Sequence, residues 1–235
     1  MNERNPKPAY FDEYAIRYDE ALQEALAATG ENKIFYARGR ISWMASRLKH
    51  RGHTTNSILD FGCGIGSAAP VLAGCFPGAG ITGVDVSAAS IEKARQQHPP
   101  PCRFLTLDQL EKEAQFDLAY CNGVFHHIAP AERLEVAKTV WKALKPGAYF
   151  AFFENNAWNP GTRYLMWRCS FDRDAVPLSI MEAGRLLKDS GFVFEAHAFL
   201  FLFPRVLSFL RWSETLLEVL PLGGQYVLLT RKPLK

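Results

Sequence analysis

Two adjacent histidines are the side chains of this chain best suited to catalysis. His126 and His127 follow an apolar stretch that ends in Asn122. An imidazole with an unperturbed pKa of about 6.5 can take a proton from a hydroxyl or an amine near neutral pH. Glu154 and Asn155 end the next apolar stretch and could bind the same reactant. This pattern predicts proton transfer beside a polar binding site, although the histidines could also be structural and close the loop that follows them.

A glycine-rich stretch earlier in the chain could bind a second ligand. Asp60 is followed by Gly62, Gly64 and Gly66, with Cys63 between the first two glycines. Glycine lets the backbone adopt left-handed dihedral angles and approach a ligand closely. The apolar residues before the acid predict a buried strand, and those after the last glycine predict a helix whose first N–H groups would face the same ligand. Such a stretch can also be a simple tight turn, so the residues that follow are decisive.

Acidic residues recur at the ends of the next two predicted strands. Asp85 comes one strand–helix–strand repeat after Asp60, is followed by Val86, and could accept hydrogen bonds from both hydroxyls of a ribose. Ser87 is a good helix cap, so Asp85 is not needed for capping, although capping remains its alternative role. Asp108 ends the third predicted strand and could bind a ligand or be an exposed loop residue. The glycines and these acids together predict a nucleoside site.

The pattern Asp-x-Gly-x-Gly-x-Gly of residues 60–66 resembles the first motif of the class I S-adenosylmethionine (SAM)-dependent methyltransferases. A dinucleotide-binding fingerprint would have its third glycine one residue later, which disfavours the alternative of a nicotinamide-dependent oxidoreductase. The phrase Leu-Lys-Pro-Gly at residues 144–147 also resembles this methyltransferase family. The resemblance covers residues 55–154 with specific motifs, and the last two strands by layout only. It implies SAM as the cofactor.

The resemblance also implies roles for individual residues. Asp85 would bind the ribose, and Asp108 would lie beside the adenine amino group. A histidine after the fourth strand is common in the family, where in some members it binds the acceptor rather than deprotonating it. The implied cofactor site comprises Asp60, Gly62, Cys63, Gly64, Gly66, Asp85, Val86, Asp108 and Asn122. The catalytic candidates are His126 and His127, and the substrate-binding candidates are Tyr14, Tyr18, Glu154 and Asn155.

The expected reaction is methyl transfer to an oxygen or nitrogen atom of a small organic acceptor. The Asn/Asp-Pro-Pro-Tyr clamp of enzymes that methylate adenine or glutamine is missing, because Asn122 is followed by Gly-Val-Phe. The sequence does not provide the clustered acids of a metal-dependent catechol-type enzyme, so no metal site is expected. The apolar residues 199–204 leave open an apolar or lipid-linked acceptor. A SAM-binding protein without catalysis is the alternative.

Alternating strand and helix signals from residue 57 onward predict an α/β fold. We expect a Rossmann-like, doubly wound sheet of seven mostly parallel strands, with an antiparallel last strand at its edge. The predicted strands are residues 57–61, 80–86, 102–107, 116–122, 148–154, 192–203 and 225–231. The predicted helices are residues 32–49, 88–98, 130–144 and 179–191, with an amphipathic helix between 204 and 222.

Residues 1–50 are predicted to form a helical lid, and residues 51–235 a SAM-binding methyltransferase domain. The aromatic residues at positions 10, 11, 14 and 18 share one helix face, and Tyr14 and Tyr18 are expected to reach the substrate. Packing of this helix onto the sheet is the alternative. Residues 155–178 and 204–222 are expected to be insertions that shape the acceptor site, the first of them irregular.

The composition is that of one globular α/β domain. Of 235 residues, 48% are hydrophobic and 22% charged, and the formal net charge is +3. No run of Lys and Arg predicts nucleic-acid binding, and no apolar run reaches the roughly 20 residues of a membrane span. Five cysteines without metal or CxxC spacing predict reduced thiols. We expect a cytoplasmic protein that binds a small molecule and touches a membrane, if at all, only at its surface.

Overall fold

A seven-stranded sheet forms the centre of the protein. The computed structural model describes residues 26–27, 29–111, 115–169, 172 and 175–234. The strands are β1 (Ser57–Phe61), β2 (Gly80–Asp85), β3 (Arg103–Thr106), β4 (Phe116–Asn122), β5 (Leu144–Asn155), β6 (Val193–Leu200) and β7 (Gln225–Arg231). Each corresponds to a predicted strand. The aromatic helix predicted around Tyr14 and Tyr18 lies outside the described residues.

The strand order is β3-β2-β1-β4-β5-β7-β6, and β7 is antiparallel to both of its neighbours. The prediction of an antiparallel last strand is confirmed, but its expected place at the edge is wrong. Residues 226–230 of β7 are all buried, as in a strand with a neighbour on each side, whereas much of β6 is exposed or half-buried. Burial on both faces therefore marks β7 as an inner strand, and β6 forms the edge.

The described helices are α1 (Lys33–His50), α2 (Ala69–Cys75), α3 (Ala88–Gln97), α4 (Arg133–Ala143), α5 (Pro160–Arg168), α6 (Ile180–Asp189) and α7 (Glu214–Leu217). The capping box predicted at Ser179 and Glu182 opens α6 as expected. Two predictions are wrong. Residues 155–178 are not all irregular, because Asn159 caps a helix that begins with Pro160. The amphipathic helix after Pro204 is a 3-10 segment with a kink at Leu207, followed by the short α7.

Helices cover both faces of the sheet, as the doubly wound prediction requires. One core contains Leu59, Phe150 and Phe152 with residues of α4 and α6. The other contains Ile58 and Phe153 with residues of α1, α2 and α3. Neighbouring residues of a strand thus point into opposite cores. Ile41, Met44 and Leu48 place α1 in the second core, so this helix packs against the sheet. No helix among the described residues is long and apolar enough to cross a membrane.

Candidate active site

The glycine turn (residues 62–66) leads from β1 toward α2 and is fixed by the neighbouring strand. The N–H groups of Gly62 and Cys63 donate to the carbonyl of Val84, at 2.8 and 3.0 Å. Gly64 has a φ of +52°, and a Cβ placed on it would meet no atom within 4 Å. A Cβ on Gly62 would instead lie 2.3 Å from the side chain of Val124. One glycine therefore lets the turn pack against the loop after β4, and the other leaves open space above the turn.

Asp85 faces this open space from the end of β2. Its Oδ2 accepts a hydrogen bond from the N–H of Gly64 at 2.8 Å, and its Oδ1 accepts from the N–H of Ser87 at 2.9 Å. Ser87 caps α3 with its own side chain, as expected. A carboxylate offers about four lone-pair sites, so both oxygens can still accept ribose hydroxyls. Val86 is 43% exposed beside it, and Asp108 is exposed in a 3-10 turn after β3.

Asp60 is buried below the glycine turn, and its surroundings indicate whether a cationic ligand would fit there. Its side chain is only 3% exposed, and its Oδ2 has no hydrogen-bond partner among the described residues. Burial and the nearby charge of Asp85 raise the pKa of Asp60 to about 7, against the opposing charge of Arg40. Such a group is stabilised when a positive charge is placed close to it. The sulfonium and ammonium groups of SAM would supply that charge.

The acceptor cavity, with a volume of about 340 Å³, opens beside Asn122 and Gly123 at the end of β4. Its walls come from α1, α5, the ends of the central strands and residues 201–204. Asn155 lines it as predicted and accepts a hydrogen bond from Gln225 at 3.1 Å. Gln225 in turn accepts one from Arg40 at 2.8 Å. The sequence reasoning missed Arg40 and Gln225, because neither has a motif around it and they meet only through the fold.

Aromatic rings close another side of the acceptor cavity. The ring of Phe201 packs edge-on against Tyr36, with centroids 4.8 Å apart, and tilted against Phe35. Gly39 makes room for it, since a Cβ there would lie 2.5 Å from the Phe201 ring. Phe201 has a φ of +65°, which is a strained conformation for a residue with a side chain. The cavity therefore combines an apolar wall with the amides and the guanidinium described above.

The histidine cluster lies on the cavity wall and consists of His126, His127 and Asp172. Asp172 Oδ1 lies 3.4 Å from Nε2 of His126 and 3.3 Å from Nε2 of His127. Nδ1 of His126 lies 2.5 Å from Glu154 Oε2. The other oxygen of Glu154 accepts from the N–H of Phe125 at 2.8 Å. Glu154 is only 1% exposed, so it lies behind His126 and does not line the cavity as a substrate-binding residue would.

The two histidines differ in their electrostatic surroundings. Burial alone would lower the pKa of His126, but the charges of Glu154 and Asp172 raise it to about 10. Burial and the charge of His126 lower the pKa of His127. Burial would raise the pKa of Asp172, but its hydrogen bonds to both imidazoles hold it well below the usual range. His126 is therefore held between two carboxylates that favour its charged form.

Asp172 is the residue of this cluster that the sequence reasoning missed. It lies in the stretch predicted to be irregular, and no spacing connects it with the histidines. It reaches them because the N–H of Val176 donates to the carbonyl of His126 at 2.8 Å, which holds the end of that stretch against the loop after β4. A long-range contact of this kind leaves no local signal.

Comparison with known families identifies the half of the molecule that carries the glycine turn. Residues 59–150 match the model of a family described as a methyltransferase domain. This range begins in β1, ends in β5 and includes Asp85 and both histidines. Residues 59–150 are a methyltransferase domain. The acceptor insertions and the strands β6 and β7 lie outside the residues of the methyltransferase domain that the family model matches.

Named methyltransferases match part of the chain. Trans-aconitate 2-methyltransferase of Deinococcus radiodurans is 37% identical over 94 residues, which cover 40% of this chain and 36% of that protein. Botryococcene C-methyltransferase of Botryococcus braunii is 30% identical over 132 residues, which cover 48% of this chain and 34% of that protein. The matches therefore span about a third of the length of these relatives.

Structural similarity extends further than sequence similarity. The solved structure of human N-acetylserotonin methyltransferase in complex with SAM has a TM-score of 0.61 against this chain and is 18% identical to it. The likeness covers 91% of this chain and 56% of that one. At this identity the likeness concerns the fold, and it agrees with the sheet order of the methyltransferase domain described above.

Proposed function

We propose that this protein transfers the methyl group of SAM to a small organic acceptor bound in the acceptor cavity. The observation that carries this proposal is the contact between the two sites. The glycine turn packs on Val124, and the cavity opens beside Asn122 and Gly123 in the same loop. A nucleoside bound above the turn would therefore have one end at the mouth of the cavity.

The binding of SAM rests on residues of the first three strands. Gly64 leaves room for the ligand, Asp85 accepts the ribose hydroxyls, and Asp60 attracts the cationic end. Val86 and Asp108 are exposed at the ends of β2 and β3 and would contact the adenine. In this proposal Cys63 and Gly66 are structural rather than cofactor-binding. For Gly66 the reason is that a Cβ there would meet His98 and Phe104 rather than open space.

Methyl transfer itself requires mainly that the acceptor be held in line with the donor. Bound SAM supplies an electrophilic methyl group on a positively charged sulfur. An acceptor lone pair forms the new bond to carbon while the carbon–sulfur bond breaks and leaves its electrons on sulfur. Alignment of this kind can contribute about 7–11 kcal/mol. The amide groups of Asn155 and Gln225 and the rings of Tyr36 and Phe201 are placed to hold the acceptor.

The histidine cluster is the place where a hydroxyl acceptor would lose its proton. Both histidines line the cavity, next to Asn122 and Gly123. A carboxylate acceptor, as in the relatives named for trans-aconitate, would need no base, because it is already ionised at neutral pH. We therefore propose methylation of an oxygen or a nitrogen atom of the acceptor.

The experiment is a pair of glycine variants that differ in their position relative to the cofactor site. Gly64 and Gly52 both have positive φ values, +52° and +64°, and open space at the Cβ position. Gly64→Ala and Gly52→Ala should therefore strain the backbone to a similar extent. We expect Gly64→Ala to weaken SAM binding in calorimetry and Gly52→Ala to leave it unchanged. NAD should bind to neither.

Activity is tested with the unaltered protein, SAM and a panel of alcohols, phenols, carboxylic acids and amines. We expect formation of S-adenosylhomocysteine with at least one oxygen acceptor. SAM binding without product across the whole panel would point to the non-catalytic alternative. Equal SAM affinity of both glycine variants and the wild type would contradict the placement of the cofactor.

A further inference from the structure

The three side chains of the histidine cluster converge on one point in the cavity wall. One ring nitrogen of His126, one of His127 and an oxygen of Asp172 all lie within 4.8 Å of one another. Two imidazole nitrogens and a carboxylate oxygen are ligands that divalent transition metals accept. Asp172 is nearly equidistant from both nitrogens, so one carboxylate oxygen faces both imidazoles.

The distances within the cluster fit coordination better than direct hydrogen bonding. The two separations of Asp172 from the imidazoles are 3.4 and 3.3 Å. A charge-assisted hydrogen bond between nitrogen and oxygen is usually about 2.7–2.9 Å long. In a tetrahedral zinc site with bonds of about 2.0–2.1 Å, the ligand atoms lie about 3.3–3.4 Å apart. The two separations of Asp172 from the imidazoles therefore agree with those expected around a central Zn²⁺, and the two imidazole nitrogens lie within 4.8 Å of each other.

Glu154 lies behind the cluster, where a residue that orients a metal-binding histidine would lie. Metal-binding histidines usually donate their second ring N–H to a carboxylate, which fixes the tautomer and the ring plane. Glu154 accepts from Nδ1 of His126 at 2.5 Å and is itself held by the N–H of Phe125 at 2.8 Å. This leaves Nε2 of His126 directed at Asp172. Glu154 is buried and does not line the cavity. In this arrangement its role is to orient the ring of His126.

We propose that His126, His127 and Asp172 bind one divalent metal ion, with Zn²⁺ the best fit, and that the acceptor oxygen takes the remaining coordination position. Three protein ligands plus one open position is the usual composition of a catalytic zinc site. The open position faces the acceptor cavity, because all three ligands line it. Two carboxylates, Glu154 and Asp172, compensate the charge of the ion.

The metal would define the acceptor class, and this step rests on the proposed methyl transfer. A hydroxyl bound to Zn²⁺ loses its proton to solvent more readily, since the ion lowers its pKa. The oxygen keeps further lone pairs that can form the bond to the methyl carbon. An amine bound to the metal would have its only lone pair occupied. The acceptor is therefore an alcohol, a phenol or a carboxylic acid.

The test measures metal binding on the untagged full chain, independently of activity. After treatment with EDTA, the protein is titrated with Co²⁺, and the visible absorption of tetrahedral Co²⁺ is followed and then displaced with Zn²⁺. We expect one equivalent to bind. Asp172→Ala and His127→Ala should each weaken Co²⁺ binding by more than about 100-fold, and Glu154→Gln by about 10–100-fold. His197→Ala is the matched control, because His197 lies in β6 outside the cavity.

The outcomes separate this site from the cofactor site. Removal of the metal should leave the affinity for SAM unchanged and should lower methyl transfer to the oxygen acceptor. Failure of the wild type to bind Co²⁺ more tightly than Asp172→Ala would overturn the metal site. Full activity after removal of the metal would overturn the role of the ion in acceptor binding. Tight Co²⁺ binding without any methyl transfer would support the metal site and count against the proposed function alone.

Discussion

The two halves of the sheet's carboxyl edge are built in different ways. The cofactor half, at the ends of β1, β2 and β3, consists of one contiguous strand–turn–helix stretch and the acid that ends the next strand. The acceptor half, at the ends of β4 and β5 and the start of the antiparallel β7, combines residues that are far apart in the chain. Arg40 and Gln225 meet there, as do His126 and Asp172.

The family match covers the cofactor half and only part of the acceptor half. The matched range, residues 59–150, contains the whole cofactor half and ends before α5, β6 and β7. A cofactor that is the same in every member requires the same turn and acid, whereas acceptors differ in shape and charge. SAM binding can therefore be tested with residues of the glycine motif, whereas acceptor choice can be tested with His126 and His127 inside the matched range and with Asp172 outside it.

The largest expected effect is a loss of turnover when the histidine cluster is mutated. His126→Ala and His127→Ala should each lower turnover by at least about 100-fold, since the site of proton loss is removed, while the affinity for SAM stays nearly unchanged. Turnover is measured with the acceptor found in the panel, and SAM affinity by calorimetry. If His127 alone acts as the base, His126→Ala should be much more active than His127→Ala. A loss of SAM affinity in either variant would show that the cofactor half and the acceptor half are not independent.

The next effect concerns the pH dependence of stability in the cofactor half. The pKa of Asp60 is raised to about 7 in the folded protein by burial and by Asp85. The unfolded chain ionises at a lower pH, so Asp60 increasingly destabilises the fold as the pH rises from about 4 to about 7. Asp60→Asn removes this titration. Between pH 5 and pH 8, the wild type should lose about 2 kcal/mol of unfolding free energy relative to the variant.

Denaturant unfolding of both proteins at the two pH values measures this difference. Asp60→Asn should also weaken SAM binding, most clearly at pH 8, where the wild-type carboxylate is ionised and attracts the cationic ligand. Parallel stability curves for the two proteins would contradict the raised pKa of Asp60. Unchanged SAM affinity of Asp60→Asn at pH 8 would show that the buried carboxylate does not take part in cofactor binding.

A smaller effect is expected for the ribose contact. Asp85→Ala should weaken SAM binding tenfold or more, because hydrogen bonds to a charged group contribute about 1.5–3 kcal/mol each before compensation. Asp189→Ala serves as the control, since Asp189 is exposed at the end of α6 and has no place in either site. Equal SAM affinity of a folded Asp85→Ala variant would remove the ribose assignment.

The smallest expected effect concerns the chain that precedes the cavity. Leu26 and Thr29 line the acceptor cavity. Deletion of residues 1–20 should raise the Michaelis constant for the acceptor and lower turnover, as expected when a lid is removed. SAM affinity should change less. Loss of the folded state after deletion would favour the alternative that this segment packs onto the sheet.

The sequence predicted the elements whose signals are local. The strands from β1 to β5, the cap at Ser87 and the capping box at Ser179 were identified from hydrophobic runs and neighbouring residues. The sequence did not reveal that β7 lies between β5 and β6, because strand order depends on pairing between distant segments. It also did not reveal α5, whose Asn159 cap lies among turn-forming residues that favour a loop reading.

The amino-acid sequence by itself determined the cofactor half, since Asp60, the glycines and Asp85 belong to one βαβ repeat whose geometry follows from its spacing. Only the tertiary structure decided how the acceptor half is assembled. The sequence placed two histidines at the sheet edge, but not the carboxylates on both sides of His126. Those carboxylates favour the charged form of the imidazole. Electrostatic surroundings depend on distances in space, and the spacing along a chain does not contain them.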